Sequence, residues 1–208
     1  VSITVAILNA VIAAGAAWAL TRAILAYVPG NSRWVQSRFH VLLAAAGGFG
    51  AAMLTDHPAE LIALLAAVVG CSLLVVIDLA VHRLPDKPVA STTLAMLVPL
   101  GIAAATGIGW APFGRALLAA LVLMLAYFIL AFISPAGLGL GDVKFASVIG
   151  LLLGWFSWSH VAIGTLLAFL VNGLAALIVL IRRGKVKGSE VPFGPSMVLG
   201  AVLALMVN

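Results

Sequence analysis

The sequence predicts an all-α, polytopic integral membrane protein with about eight transmembrane helices. Of its 208 residues, 64% belong to the AVILMFWYC set and only 8% are charged, against about 25% charged in a soluble domain; mean hydropathy is +1.27. The apolar residues gather in runs bounded by charge, proline or glycine, and at about 20 residues per span the chain holds about eight or nine such runs with short loops. When successive connections are assigned to alternate sides, ten of the eleven Lys and Arg fall on one side, which is the asymmetry of cytoplasmic loops. No room is left for a soluble domain of any size. With no internal repeat, low-complexity tract or dividing linker, residues 1–208 read as a single transmembrane domain.

The first run, Ile3 to Val28, has no Lys or Arg before it. Lacking a basic n-region and a clear small-residue cleavage site, it reads as a retained span and not a signal peptide. The others are Phe39 to Leu54, Ala59 to Ala80, Val89 to Thr106, Arg115 to Ile133, Val143 to Trp158, His160 to Ile181 and Ser196 to Val207. The second, sixth and eighth are short for an apolar core of ~30 Å, so a half-insertion or an extension into the flanking loop is expected among them. This count puts Arg22, Arg33, Arg38, Arg83, Lys87, Lys144, Arg182, Arg183, Lys185 and Lys187 in the cytoplasm and the amino terminus outside. Arg115 alone falls outside, on the same side as the acidic connection of Asp56 and Glu60. Trp110, Trp155 and Trp158 cluster near the outer ends, where indole rings anchor at the interface.

The net charge of +5 and the pI near 10.0 follow from that loop topology, and no nucleic-acid partner is expected. The lone cysteine, Cys71, lies inside an apolar run, which excludes a disulfide framework, a four-cysteine zinc site and a CxxC redox pair. His40, His57 and His160 are scattered, so neither a metal site nor a cofactor is expected.

An ionisable group inside a span costs at least ~2.5 kcal/mol on insertion scales, so each one needs a reason. Asp78 closes the run Leu73-Leu74-Val75-Val76-Ile77, within the third helix or its last cytoplasmic turn; a pairing with Arg83 is the structural alternative. Gly137-Leu138-Gly139-Leu140-Gly141-Asp142-Val143-Lys144 is the second anomaly. Its alternating glycines oppose a helix and let another chain approach the backbone, and Asp142 stands where the sixth helix begins, a position that also suits an N-cap. Both carboxylates fall on one side at adjoining depth. Two facing carboxylates are the apparatus of an aspartic peptidase: one takes a proton from water while the other protonates the carbonyl oxygen. They share a proton, because both cannot ionise cheaply at close range.

Three stretches carry a family resemblance. Asp78-Leu79-Ala80-Val81-His82-Arg83-Leu84-Pro85-Asp86 resembles the aspartate motif ending in Pro-Asp of the type IV prepilin peptidases, and Gly139-Leu140-Gly141-Asp142 resembles their GxGD motif. Val191-Pro192-Phe193-Gly194-Pro195 is similar to a later stretch of the same family. The likeness runs from about Ala59 to the end. It implies an eight-span inner-membrane aspartic endopeptidase with a cytoplasm-facing site, Asp78 and Asp142 as catalytic pair, and a pilin-like precursor with a short basic leader as substrate. Larger members carry a zinc domain with two CxxC pairs between the first two spans and also methylate the new amino terminus. This chain has only Pro29 to Arg38 there, so it resembles a short form, for which little or no methylation of the product is expected.

Around the pair, Pro85, Gly139 and Gly141 are expected to shape the site. Lys144 is a candidate to hold Asp142 ionised or bind a substrate carbonyl, or else an interfacial cation. Asp86 and Glu190 could receive a basic leader, or act as solvated loop charges. His82 could tune Asp78. Asn172, mid-span, is expected to make an interhelical hydrogen bond. The rival function is a small proton- or ion-coupled transporter using the same carboxylates; no paired short segments in corresponding halves support it. A third reading is a catalytically silent assembly protein of a pilus machinery, against which both aspartates speak.

Overall fold

The computed structural model describes residues 2–30, 32–133, 138–183 and 191–207. They form helices throughout: α1 (Ile3–Ala19), α2 (Thr21–Leu25), α3 (Arg33–Gln36), α4 (Phe39–Leu54), α5 (Pro58–Val81), α6 (Asp86–Ala103), α7 (Trp110–Ile133), α8 (Leu140–Phe156), α9 (Trp158–Arg183) and α10 (Gly194–Met206), with one π turn, Ala104–Ile108, after α6. Among the described residues, five stretches are long and apolar enough to cross a membrane: Ile3–Leu25, Pro58–Val81, Asp86–Ile108, Trp110–Ile133 and Trp158–Arg182. The protein is a polytopic all-helical membrane protein. Every run expected from the sequence holds a helix, and the differences lie at the ends.

The first run breaks at Leu20, because the Thr21 hydroxyl donates to the Trp18 carbonyl at 2.7 Å and pairs with the ring of His40 at 3.0 Å. Such a side chain-to-backbone bond competes with the helix ladder. Helix α6 starts earlier than Val89, with Pro88 harmless in its first turn, and carries Pro99 inside. It unwinds at Thr106 and Gly107, whose φ of 132° only glycine adopts without strain. Thr106 there bonds the Ile102 carbonyl at 2.6 Å and the His57 ring at 3.2 Å, joining the end of α6 to the start of α5.

The chain divides into two compact units, Val1–Gly114 and Arg115–Asn208. Lipid tails are as apolar as leucine, so helices in a membrane associate by close backbone approach and buried polar pairs and not by hydrophobic exclusion. In the first unit α1 packs on α4 and α5, and α6 on α5. Ala13, Ala17 and Ala44 are fully buried at the α1–α4 seam, and a Cβ on Gly48 would stand 2.7 Å from the Asn9 carbonyl. In the second unit α9 packs on α8 and α10. There a Cβ on Gly200 would lie 2.5 Å from the Gly164 carbonyl, and the Ser196 hydroxyl donates to Asn172 at 3.4 Å, from α10 to α9. That is the interhelical bond expected of Asn172. Trp110 and Trp158 are exposed, but Trp155 is buried. It is a packing residue of the last turn of α8, whose carbonyls Arg115 holds.

Candidate active site

Asp78 belongs to the last turn of α5 and is 4% exposed. Its neighbours Val76 and Ile77 are buried with Ile24, Val28 and Val35, and Tyr27, Trp34 and Phe39 close over them. The segment after α1 thus folds back on the end of α5 and walls one side of the aspartate's helix. The backbone carbonyl of Asp78 accepts the His82 N–H at 2.8 Å, which ends the helix. His82 takes a left-handed conformation there, φ 51°, where glycine is the usual choice. It is an exposed helix cap, so its fixed role lies in the backbone. Leu84 is buried, Pro85 half-buried and Asp86 exposed. Pro85 caps α6 and Asp86 is its first residue, where a negative charge suits the helix dipole.

Asp142 lies in the first turn of α8 and is partly buried. The helix starts at Leu140, three residues before the expected Val143: Gly139 is its N-cap and Gly141 lies inside the first turn. Asp142 is therefore the third helical residue and not the cap. Its N–H donates to the Gly139 carbonyl at 3.0 Å while its Oδ2 accepts the Gly139 N–H at 3.1 Å. The second of these bonds is the N3 half of a capping box, and it ties the carboxylate to the backbone just ahead of the helix. Gly139 is exposed and Lys144 faces outward from the next turn. Gly137, Glu190, Lys185 and Lys187, to which the sequence also pointed, lie outside the described residues.

Two features of the second unit went unread in the sequence. Arg115, near the start of α7, donates Nε to the Gly154 carbonyl at 2.7 Å and Nη2 to those of Trp155 and Phe156 at 2.6 and 2.8 Å. The guanidinium thus satisfies the orphan carbonyls at the end of α8 and neutralises its negative pole. The signal was present: an arginine beside a span requires a partner. Phe193 of the late Val191 to Pro195 motif is buried against Tyr127 of α7, ring centroids 5.8 Å apart, and Phe169 of α9, 5.1 Å apart. The late motif thus packs on the two helices beside the GxGD helix. Among the described residues no three His, Cys, Asp or Glu gather as a metal site would require.

Fold and motifs together define a class: a polytopic membrane protein with a carboxylate at the end of one helix and another at the start of a second, each in a helix-terminal turn. Comparison with known proteins gives the family. The model of the type IV leader peptidase family matches residues 64–181, a stretch that contains both Asp78 and Asp142, and the chain belongs to that family. It is 31% identical over 70 residues to a prepilin leader peptidase/N-methyltransferase of Pseudomonas aeruginosa. That likeness covers 34% of this chain and 23% of the relative's length. No solved structure matches.

Proposed function

We propose that the chain is an intramembrane aspartic endopeptidase that removes the short basic leader of type IV pilin-like precursors at the cytoplasmic face of a prokaryotic inner membrane. The observation that carries this reading is the family match, whose span includes both aspartates and the two motifs around them. Residues 1–208 then act as one domain of eight spans with the amino terminus outside, the shorter α4, α8 and α10 completing the five long spans. The basic asymmetry of the loops supports that topology.

In the reaction, one carboxylate withdraws a proton from water as its oxygen adds to the scissile carbonyl carbon, and the other delivers a proton to the carbonyl oxygen. Collapse of the tetrahedral adduct breaks the C–N bond, with a proton going to the departing nitrogen. The helix-end settings suggest the division of labour. Asp78 is buried at the carbonyl end of α5, where negative charge is disfavoured, and serves as acid; Asp142 is at the amide end of α8, where negative charge is favoured, and serves as base. A coupled pair titrates jointly, so the roles belong to the dyad's states. Gly139 and Gly141 leave the loop low enough for the junction of a substrate helix to approach.

Co-expression with pilin-like precursors tests the reading: leader removal by the wild-type chain is expected, and an unprocessed precursor beside a correctly inserted chain would refute it. A second expectation concerns the product. With only Pro29 to Arg38 between the first two runs and no CxxC pair in the sequence, cleavage should proceed without zinc and with little or no methylation of the new amino terminus. Mass spectrometry of the mature substrate decides between that and a fully methylated terminus.

A further inference from the structure

The first unit carries two cavities that share Tyr27 in their linings. One is an apolar slot of about 490 Å³ between α1 and α6, floored by α5. Small residues make the slot, among them Ala16, Ala66 and Ala95, and Lys87 and Ser91 stand at its α6 end. The other, about 590 Å³, is lined by Tyr27 and by Arg83 with its neighbours after α5. Lys87 and Arg83 are exposed, and Asp86, between them in sequence, lines neither cavity. An apolar slot with one cation in its lining, and a second cation across the shared phenol ring, matches an amphiphile with an anionic head.

We propose that this groove binds one anionic phospholipid, with an acyl chain in the slot and the phosphate between Arg83 and Lys87. Charge selects the occupant: both cations repel a basic leader, whereas basic pockets between spans on the cytoplasmic side suit anionic head groups. The inference stands apart from the peptidase reading, since it uses neither aspartate.

Native mass spectrometry of the full chain in a neutral detergent tests it, titrating phosphatidylglycerol and phosphatidylcholine of the same acyl chains. Wild-type protein should retain phosphatidylglycerol about 30-fold more tightly, a factor of ~5 for each cation near the lipid phosphate. The double variant Arg83→Gln, Lys87→Gln, both at exposed positions, should retain the two lipids equally. Ala95→Phe, which fills the slot from an exposed position, should weaken both about tenfold. Equal retention of the two lipids by the wild type would overturn the proposal. So would a photocrosslinker at position 95 that captures, in membranes, the helix of a pilin-like precursor and no lipid. Thermal unfolding in the same detergent verifies that each variant is folded before its retention is read.

Discussion

The end of α5 and the start of α8 each present an aspartate, and the two helix ends are built differently. At the end of α5, Val76 and Ile77 beside Asp78 are buried under aromatic rings from the segment after α1. Asp142 is held by bonds, a reciprocal pair with Gly139 at one end of α8 and the Arg115 guanidinium on the carbonyls at the other. A membrane helix cannot be positioned by exclusion from lipid. Where the neighbouring surface is large and interlocking, van der Waals contact suffices; at the ends of α8, hydrogen bonds to the backbone take over.

The largest expected effect removes the chemistry from both regions alike. Asp78→Asn and Asp142→Asn should each insert normally and lose leader cleavage by about 10²–10⁴-fold or more, with the double variant no worse than either, because the pair acts as a unit. Substantial cleavage by either single variant, at matched protein levels, would end the dyad reading. The next effects separate the regions. Ile77→Ala opens a cavity in the packed end of α5 and should cost about 2–4 kcal/mol, whereas Arg115→Met strips three carbonyls of a charged donor and should cost about 3 kcal/mol. Reversible unfolding in bicelles measures both, and a negligible loss in either would show that end held by something else.

A smaller effect probes why the α8 end is open. A Cβ on Gly139 would meet Asp142 Oδ2 at an ordinary 3.4 Å, and φ −78° suits alanine. Gly139→Ala should therefore keep stability within about 0.5 kcal/mol while lowering cleavage about tenfold through a slightly misplaced substrate. Unchanged cleavage would mean that the glycine serves no approach. Smallest of all, Asp86→Asn should leave cleavage readily measurable in the same assay, since Asp86 is an exposed first residue of its helix and exposed charges contribute little.

The helix order was legible because hydropathy marks spans directly, and the boundaries moved where short-range polar bonds intervene. Thr21 broke the first run by a hydroxyl-to-carbonyl bond, and Gly139 allowed α8 to start ahead of Val143 by acting as a cap. Both aspartates were visible as costly residues in apolar settings, and Asn172 found its expected partner. What the sequence hid was partnership across long intervals. That Arg115 should meet residues about forty positions later, or that Phe193 should stack on Tyr127 and Phe169, depends on which helices pack side by side. Trp155 misled for the same reason, because a tryptophan near a helix end reads as an anchor until the side chain that holds that end is known.

The Arg115 clamp also has a bearing on how the chain is made. During synthesis α7 leaves the ribosome before α8, so the guanidinium reaches the membrane while the carbonyls it will bind are still untranslated. A lone arginine near the bilayer centre is charged ~2.5–3.5 kcal/mol on insertion scales, and one near the surface can wait in the headgroup layer at far less cost. Arg115, in the second turn of α7, fits the waiting position. It can settle only when the last turn of α8 arrives, which makes α7 and α8 a hairpin that completes its insertion as a pair.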